Sequence, residues 1–254
     1  MTGPLTGHVA LVTGAAQGMG AAHARRLAHD GAVVAVNDRV ASDALNALAK
    51  EIGGIACPGD LSYPAAVDDV VRQASEVIGP IDILVANHAY MAMANFLHHN
   101  PEDWWRIIDT NLTGTFGLIQ AVLPGMRTLG AGRIVIISSE WGVTGWPGAT
   151  AYTASKAGLI SLTKTLGREL APSGIVVNAI APGVTDTPQL QVDADAAGLS
   201  LEQMHAEYAG DIPAGRIGKP EEISAIVALL ADFRLGSLIG QVVQVNGGTT
   251  RTRV

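Results

Sequence analysis

The chain has 254 residues, of which 48% are hydrophobic and 15% charged, so it can form a large core and is not disordered. Its 16 basic and 23 acidic residues leave a net charge of −7, which argues against a nucleic acid partner. A single cysteine, Cys57, excludes an internal disulfide and a cysteine-based zinc site. We find no signal peptide and no apolar run of the roughly 20 residues that span a bilayer, so we expect no membrane partner and a cytoplasmic location.

Short runs rich in Val and Ile alternate with helical patterns along the chain. The runs predict strands at 8–13, 32–36, 54–57, 81–86, 133–137, 175–180 and 241–245. The patterns between them predict helices at 18–30, 42–52, 64–78, 101–126, 149–171 and 220–231. The strands lack in/out alternation, which is typical of strands covered on both faces. We therefore predict a single α/β domain over residues 1–254, with a Rossmann-type, doubly wound parallel sheet between two helical layers.

Residues 187–211 are polar, are interrupted by Asp and Gly, and show no strong apolar period. A long irregular insert in a compact domain is more often functional than not. We interpret this segment as a mobile substrate lid, with a surface decoration as the alternative.

A glycine-rich segment, Thr13–Gly20, joins the first predicted strand to the first predicted helix. One glycine would allow the sharp turn, one would let a pyrophosphate approach the backbone, and one would let helix and strand pack closely. The helix N-terminus adds free N–H groups and a partial positive charge. An ordinary βα turn is the alternative. The predicted phosphate-binding residues are Gly14, Gln17, Gly18, Met19 and Gly20.

Asp38 ends the second predicted strand, 18 residues after Gly20. A carboxylate there accepts hydrogen bonds from both adenosine ribose hydroxyls and repels a 2′-phosphate, although Arg39 would attract that phosphate. We favour NAD over NADP. Asp60 and Leu61 follow the third predicted strand, where Asp60 would accept from the adenine amino group or cap the next helix.

Tyr152 and Lys156 lie four residues apart in a predicted helix and therefore share one face. A nearby ammonium favours the phenolate and lowers the pKa of a tyrosine, which suits proton exchange with an alcohol or carbonyl group. A solvated, non-functional pair is the alternative. Ser139 ends the fifth predicted strand, at the sheet edge where ligands bind in this architecture.

Taken together, these motifs resemble the compact branch of the short-chain dehydrogenase/reductase family, essentially from end to end. The similar segments are Thr13–Gly20, Asp60, Asn111, Ser139, Tyr152 with Lys156, Pro182-Gly183 with Thr187, Gly215-Arg216, Pro220–Glu222 and Val245–Gly248.

The resemblance implies hydride transfer between nicotinamide C4 and a substrate carbinol or carbonyl carbon. It implies that Tyr152 is the general acid/base, that Lys156 lowers its pKa and holds the nicotinamide ribose, and that Ser139 polarises the substrate oxygen. Asn111 would hold a water that links Lys156 to solvent, although a polar residue on an exposed helix face is the alternative. The remaining implied coenzyme contacts are Asn87, Pro182, Gly183, Val184 and Thr187. The resemblance also implies a homotetramer.

Two histidine-bearing segments need separate interpretation. The family's Asn-Asn-Ala-Gly is Ala86-Asn87-His88-Ala89 here, which keeps Asn87 and places His88 near the coenzyme or in a structural role. Adjacent histidines at His98-His99 would point apart in a strand, so we expect no metal site.

The substrate pocket is expected to be broad and largely apolar, with Glu140 as one carboxylate, and to suit a secondary alcohol with an aromatic or alicyclic body. Its predicted lining is Ser139, Trp141, Trp146, Tyr152, Tyr90, Met91, Met93, Gln189 and Leu190.

The sequence thus predicts an NAD-dependent oxidoreductase that interconverts a small-molecule secondary alcohol and a ketone. An NADP-dependent 3-oxoacyl-type ketoreductase is the main alternative, and a non-redox lyase or epimerase on the same scaffold is a weaker one. The intact glycine turn and Lys156 argue against a dehalogenase, and the intact Tyr152–Lys156 pair argues against a non-catalytic coenzyme sensor.

Overall fold

Seven parallel strands form one sheet in the computed structural model, which describes residues 3–250. They are β1 (Val9–Val12), β2 (Val33–Val36), β3 (Ile55–Ala56), β4 (Ile83–Ala86), β5 (Gly132–Ile137), β6 (Ile175–Pro182) and β7 (Val242–Val245). The order across the sheet is β3-β2-β1-β4-β5-β6-β7. The direction of winding reverses between β1 and β4, which opens a crevice at the carboxyl ends of the strands.

Ten α-helices connect and flank these strands within the described residues. They are α1 (Gly18–His29), α2 (Asp43–Glu51), α3 (Pro64–Ile78), α4 (Pro101–Ile108), α5 (Gly114–Leu129), α6 (Trp141–Thr144), α7 (Thr150–Leu170), α8 (Gln189–Ala197), α9 (Leu201–Gly210) and α10 (Pro220–Ala231).

The sheet is covered by helices on both faces. One hydrophobic cluster packs α1, α2 and α10 against strand residues such as Ala10 and Val12. A second packs α3, α5 and α7 against strand residues of the opposite face, such as Leu11. Because side chains alternate between faces along a strand, both sets of positions must be apolar, which explains the uninterrupted Val and Ile runs. The predicted three-layer α/β fold is confirmed.

Local sequence signals set several helix ends as predicted. The hydroxyl of Ser42 accepts a hydrogen bond from the backbone N–H of Leu45 at 3.2 Å and caps α2. Pro64 and Pro220 are the first residues of α3 and α10, where a missing N–H costs nothing. The predicted helix 101–126 is instead divided into α4, a π-helical segment at Asp109–Thr113, and α5.

The lid segment at 187–211 is not irregular, so the expectation of an irregular insert is wrong. It folds into α8 and α9, although its polar sequence shows little apolar periodicity. Ser200 and Gln203 form a reciprocal capping box at the start of α9. Leu190, Ala194 and Met204 are buried, and α8 and α9 pack against each other, so this burial stabilises the two helices. His98 ends a short 3-10 helix, Phe96–His98, so the His98-His99 pair does not lie in a strand. No helix within residues 3–250 has the length and apolar character needed to cross a lipid bilayer.

Candidate active site

A cleft of about 500 Å³ lies at the carboxyl ends of β1, β2, β4, β5 and β6. Most of the residues that the sequence predicted for coenzyme and substrate contact line it. These are Gly14, Gln17, Gly18, Met19, Gly20, Asp38, Arg39, Asp60, Leu61, Asn87, Ser139, Trp141, Tyr152, Gly183, Val184, Thr187 and Gln189. The fold therefore brings residues from seven separate parts of the chain into one cleft.

The glycine turn has the backbone geometry that its residues predict. Gly14 and Gly18 have φ angles of 61° and 56°, in the left-handed region that favours glycine. A Cβ on Gly20 would lie 2.1 Å from the carbonyl oxygen of Gly14, so only glycine allows this approach of α1 to the turn. The Asn87 amide donates to the carbonyls of Thr13 and Gly14 at 2.9 and 3.1 Å and holds the turn in place.

The groups that face this end of the cleft fit a dinucleotide. No side chain caps α1 at Gln17, which leaves N–H groups at its first turn free to bind phosphate. The side-chain oxygen Oδ1 of Asn87 is buried without a hydrogen-bond partner among residues 3–250. Thr187, at the start of the lid segment, lies against Gly18, because a Cβ added to Gly18 would be 3.4 Å from the Thr187 Cβ. These features suit a pyrophosphate and its neighbouring ribose.

Two carboxylates lie at the predicted adenosine end. Asp38 accepts hydrogen bonds from the backbone N–H groups of Ala16 at 2.9 Å and Arg39 at 2.8 Å, which fixes its orientation. Asp60 accepts from the backbone N–H and hydroxyl of Ser62 at 3.1 and 2.7 Å. Asp60 therefore stabilises the turn before α3 and does not cap that helix, whose N-cap residue is Tyr63, while its side chain still lines the cleft.

Tyr152 and Lys156 lie one turn apart on α7. The Lys156 ammonium is 5.5 Å from the centre of the Tyr152 ring and donates a hydrogen bond to the carbonyl of Ile137 at 2.8 Å. Tyr152 meets Trp141 edge to face, with ring centres 6.0 Å apart. The Ser139 hydroxyl accepts from the backbone N–H of Trp141 at 3.2 Å, which places it beside the tyrosine at the end of β5.

The structure does not show the expected depression of the Tyr152 pKa by Lys156. Burial raises the pKa of Tyr152 to about 12, and a hydrogen bond with Ser139 only partly opposes this change. Burial likewise lowers the pKa of Lys156 to about 7. The physical reason is that both groups lose hydration in the same enclosed site, which penalises the charged form of each.

Comparison with known proteins agrees with this geometry. The sequence model of the family described as "Enoyl-(Acyl carrier protein) reductase" matches residues 14–250. The chain is 39% identical to the 3-oxoacyl-[acyl-carrier-protein] reductase FabG of Thermotoga maritima over 96% of the chain and 98% of that protein. It is 39% identical to the acetoacetyl-CoA reductase of Rhizobium meliloti over 94% and 97%, and 40% identical to the oxidoreductase UcpA of Salmonella typhimurium over 98% and 96%. The chain belongs to the short-chain dehydrogenase/reductase family. Membership implies an oxidoreductase that uses a nicotinamide coenzyme.

In this short-chain dehydrogenase/reductase, Asn111 is fully buried in the π-helical segment, so the exposed-face alternative is wrong. Its side chain accepts from the backbone N–H of Tyr90 at 2.7 Å and donates to the Tyr90 carbonyl at 3.0 Å and the Ser155 hydroxyl at 3.1 Å. Asn111 therefore joins the loop after β4 to α7, beside Lys156.

Some predicted residues lie outside the cleft lining. Asn111, Lys156 and Pro182 lie behind it, all three nearly or fully buried. Trp146 is also outside the lining and stacks on the outer side of Trp141, with ring centres 4.8 Å apart and planes 6° apart. Its predicted substrate contact is therefore not supported, and it supports Trp141 instead.

The cleft carries more charged and polar side chains than the sequence predicts. Arg106, Asp193 and Tyr208 line it without having been predicted. Gln189 donates to the Asp193 carboxylate at 3.0 Å, and the Tyr208 hydroxyl donates to it at 3.4 Å. The spacing of Asp193 four residues after the predicted contact Gln189 was the available signal, because both share one helix face.

His88 connects the glycine turn to the π-helical segment. Its Nε2–H donates to the carbonyl of Thr110 at 3.0 Å, and its Nδ1 lies 2.8 Å from the Thr13 hydroxyl. Burial, reinforced by the charge of Lys156, lowers the pKa of His88 to about 4, so the ring is neutral at pH 7. These contacts favour the structural interpretation of His88.

Two buried neutral histidines should make the protein sensitive to acid. Burial lowers the pKa of His23, in α1, to about 3, and that of His88 to about 4. Both values lie below the value of about 6.5 for an unfolded chain, so between about pH 6.5 and pH 4 the unfolded state binds protons that the folded state does not. We expect the free energy of unfolding to fall by ~1.4 kcal/mol per pH unit for each histidine over this range. Urea unfolding between pH 7.5 and pH 4.5 measures this slope.

The control separates these histidines from other titrating groups. His23→Gln should make the free energy of unfolding less dependent on pH, because it removes one of the two buried neutral histidines. The His23 Nδ1 lies 2.8 Å from the Ser224 hydroxyl, and its Nε2 has no partner within the described chain. His29→Gln, in the exposed last turn of α1, should leave the slope unchanged. Equal slopes in both variants would contradict the prediction.

Proposed function

We propose that this protein is an NAD-dependent oxidoreductase that interconverts a secondary alcohol and a ketone, with Tyr152 as the general acid/base. The observation that carries the proposal is the single cleft that contains the open N-terminus of α1 at one end and the hydroxyls of Ser139 and Tyr152 at the other. This arrangement supports coenzyme binding and proton transfer within one cleft.

The residues divide the chemistry among them. The bound nicotinamide supplies hydride exchange at C4 and, when oxidised, a positive charge. Ser139 donates a hydrogen bond to the substrate oxygen and orients it. Tyr152 gives a proton to that oxygen in reduction and, as the phenolate, takes one from it in oxidation. The raised pKa of the phenol favours its protonated form at neutral pH, which suits the reduction direction.

Lys156 and the buried groups around it shape this step. In this proposal the Lys156 ammonium, which donates to the Ile137 carbonyl and lies 5.5 Å from the centre of the Tyr152 ring, holds the nicotinamide ribose. Asn111, which donates to the Ser155 hydroxyl next to Lys156, holds a water that exchanges protons with solvent. Val184 and Thr187 line the cleft where the carboxamide would lie.

The preference for NAD is supported by Asp38. Its carboxylate is held at the end of β2 by two backbone N–H groups, so it cannot readily turn away from a ribose. A 2′-phosphate next to a fixed carboxylate costs like-charge repulsion. The exposed Arg39 side chain makes no ion pair with a carboxylate within the described residues and only partly offsets this charge.

We expect secondary alcohols to reduce NAD, which is measured as a rise in absorbance at the reduced-nicotinamide band. We also expect kcat/KM for NAD to be at least ~10-fold above that for NADP, because the Asp38 carboxylate repels the 2′-phosphate of NADP. A panel of cyclic and aromatic secondary alcohols, run with both coenzymes, measures this. A higher kcat/KM with NADP would contradict the coenzyme assignment, and no turnover with either coenzyme in either direction would contradict the function.

A charge-removing variant tests the cause of the preference. Asp38→Ala should lower the ratio of kcat/KM with NAD to kcat/KM with NADP. Asp43→Ala, which removes an exposed carboxylate in the first turn of α2, should leave this ratio unchanged. An unchanged ratio in Asp38→Ala would reject Asp38 as its source.

A 3-oxoacyl thioester reductase is the second candidate function. It is favoured by the printed names of two relatives, a 3-oxoacyl-[acyl-carrier-protein] reductase and an acetoacetyl-CoA reductase. Acetoacetyl-CoA with reduced coenzyme belongs in the same panel, and a kcat/KM far above that of every simple ketone would favour this candidate.

We also propose that the protein acts as a homotetramer in the cytoplasm. The side chains of Trp105 and Phe116, on α4 and α5, are 60% and 48% exposed. Large apolar groups at this exposure suit burial against another copy of the chain.

A further inference from the structure

His88 lies where the glycine turn meets the π-helical segment that carries Asn111. Its side chain is buried and also contributes to the lining of the cleft. The ring Nε2 lies 3.0 Å from the carbonyl oxygen of Thr110, and the ring Nδ1 lies 2.8 Å from the hydroxyl of Thr13. One imidazole ring therefore contacts two elements to which the proposed function assigns different steps.

These two contacts determine which ring nitrogen of His88 carries the hydrogen. A carbonyl oxygen can only accept, so Nε2–H must donate to Thr110. The ring is neutral at pH 7, because burial lowers its pKa to about 4, and Nδ1 therefore has a free lone pair. It follows that the Thr13 hydroxyl donates its hydrogen to Nδ1.

The buried hydroxyl of Thr13 depends on this acceptor. It accepts hydrogen bonds from the backbone N–H groups of Asn87 at 3.0 Å and His88 at 3.3 Å, so both of its lone pairs are used. Another acceptor, the carbonyl of Val85, is farther away at 3.4 Å. A buried hydroxyl without a good acceptor is unfavourable, so loss of Nδ1 should let Thr13 turn and disturb the hold of Asn87 on the glycine turn.

Close packing fixes the ring between the two elements. A Cβ added to Gly14 would lie 2.8 Å from the Cα of His88, and a Cβ added to Gly114 would lie 3.1 Å from its Nε2. The glycine turn and the start of α5 thus enclose His88 from two sides. A shift of either hydrogen-bonding partner is therefore passed on through the ring.

The second contact of the ring reaches the part of the site that handles protons. Thr110 directly precedes Asn111 in the π-helical segment. The Asn111 amide donates to the hydroxyl of Ser155, and Ser155 directly precedes Lys156. The charge of Lys156 contributes to the low pKa of His88, which shows that the ring and the ammonium are close enough to interact.

We propose that His88 is a positioning residue with two separable tasks: its Nδ1 holds the glycine turn for coenzyme binding, and its Nε2–H holds the π-helical segment for proton transfer. The inference rests on the proposed function, which assigns phosphate binding to the turn and a proton-exchanging water to Asn111. His88 acts through Thr13 and Thr110 and needs no contact with the reacting atoms.

The glutamine variant tests the first task. A glutamine amide overlaps the Nε2 position of a histidine, so His88→Gln keeps a donor for Thr110 and loses the acceptor for Thr13. We expect Kd for NADH to rise by ~10-fold, the effect of leaving a buried hydroxyl unpaired, with kcat at saturating coenzyme retained. A fluorescence titration with NADH and steady-state kinetics with a secondary alcohol measure the two quantities.

The asparagine variant tests the second task. An asparagine amide overlaps the Nδ1 position, so His88→Asn keeps an acceptor for Thr13 and loses the donor for Thr110. We expect Kd for NADH to stay within ~2-fold of the wild-type value and kcat to fall by ~10-fold. The solvent isotope effect on kcat, measured in H2O and D2O, should rise because proton transfer then limits the rate.

Two further variants separate positioning from a general loss of stability. Thr13→Val removes the same hydrogen bond from its other side, so the double variant with His88→Gln should bind NADH as Thr13→Val alone does. His23→Gln makes the glutamine substitution at a buried histidine of α1 that contacts Ser224, and it should leave Kd for NADH unchanged.

The outcomes distinguish this inference from the proposed function. Additive rises in Kd for Thr13→Val and His88→Gln, equal changes in Kd and kcat in both His88 variants, or the same rise in Kd in His23→Gln would overturn the positioning role. Turnover by the wild-type protein would leave the oxidoreductase assignment intact in each of these cases. Absence of NADH binding by the wild-type protein would overturn the proposed function, and the inference with it.

Discussion

Replacing Tyr152 by Phe should lower kcat by ~10³- to 10⁴-fold, because the substitution removes the proposed general acid/base. Phenylalanine keeps the ring, so the edge-to-face contact with Trp141 at 6.0 Å and the packing over Lys156 should persist. We therefore expect coenzyme affinity to stay close to that of the wild type. Single-turnover hydride transfer and a fluorescence titration with NADH measure the two quantities separately.

A matched substitution elsewhere controls for the loss of a phenolic hydroxyl. Tyr63→Phe removes one at a side chain that is 65% exposed, before α3, and should leave turnover and melting temperature unchanged. Near-normal turnover in Tyr152→Phe would reject the mechanism. A loss of coenzyme binding in parallel with turnover would instead show that Tyr152 contributes to binding rather than to proton transfer.

The substitution Gly20→Ala should have the largest effect on stability. The new Cβ would lie 2.1 Å from the carbonyl oxygen of Gly14 and 2.7 Å from the Asn87 amide nitrogen. Since the first of these atoms belongs to the backbone, α1 must move away from the glycine turn. We expect a loss of ~3 kcal/mol in the free energy of unfolding and a failure to bind coenzyme, because the clash distorts the phosphate site itself.

The same substitution at another helical glycine provides the control. In Gly125→Ala, within α5, the nearest atom to the new Cβ is a side-chain carbon of Pro80 at 3.9 Å. This variant should gain ~0.5–1 kcal/mol, because alanine loses less conformational freedom in a helix. Similar melting temperatures for the two variants would show that the Gly20 contact is not a constraint. Chemical unfolding and NADH titration of both proteins measure the difference.

Much of the fold could be predicted because its signals are local. The bounds of α3 and α10 follow from Pro64 and Pro220, and α2 follows from its Ser42 cap. Local signals failed in residues 187–211, where α8 and α9 pack against each other and bury Leu190, Ala194 and Met204. A polar sequence does not reveal that kind of support.

The candidate site likewise has residues that local patterns predicted and residues that only the fold brings together. The Tyr152–Lys156 spacing and the Gly14–Gly20 turn are contiguous patterns, and the structure places all of them around one cleft or directly behind it. Arg106, Asp193 and Tyr208 reach that cleft from distant parts of the chain, and no short-range pattern marks them together. Trp146 shows the converse, since it was predicted to contact substrate but lies outside the cleft lining and stacks on Trp141.

By itself, the sequence determined the parallel α/β architecture, the glycine-rich turn and the residue types available for proton transfer, because each depends on neighbours within a few positions. Only the tertiary structure decided which of these groups lose their water. The raised pKa of Tyr152, the lowered pKa of Lys156 and the unpartnered carboxyl group of Glu140 all arise from burial among elements distant in sequence. Hydration depends on the packing around a group, and residue identity does not encode it.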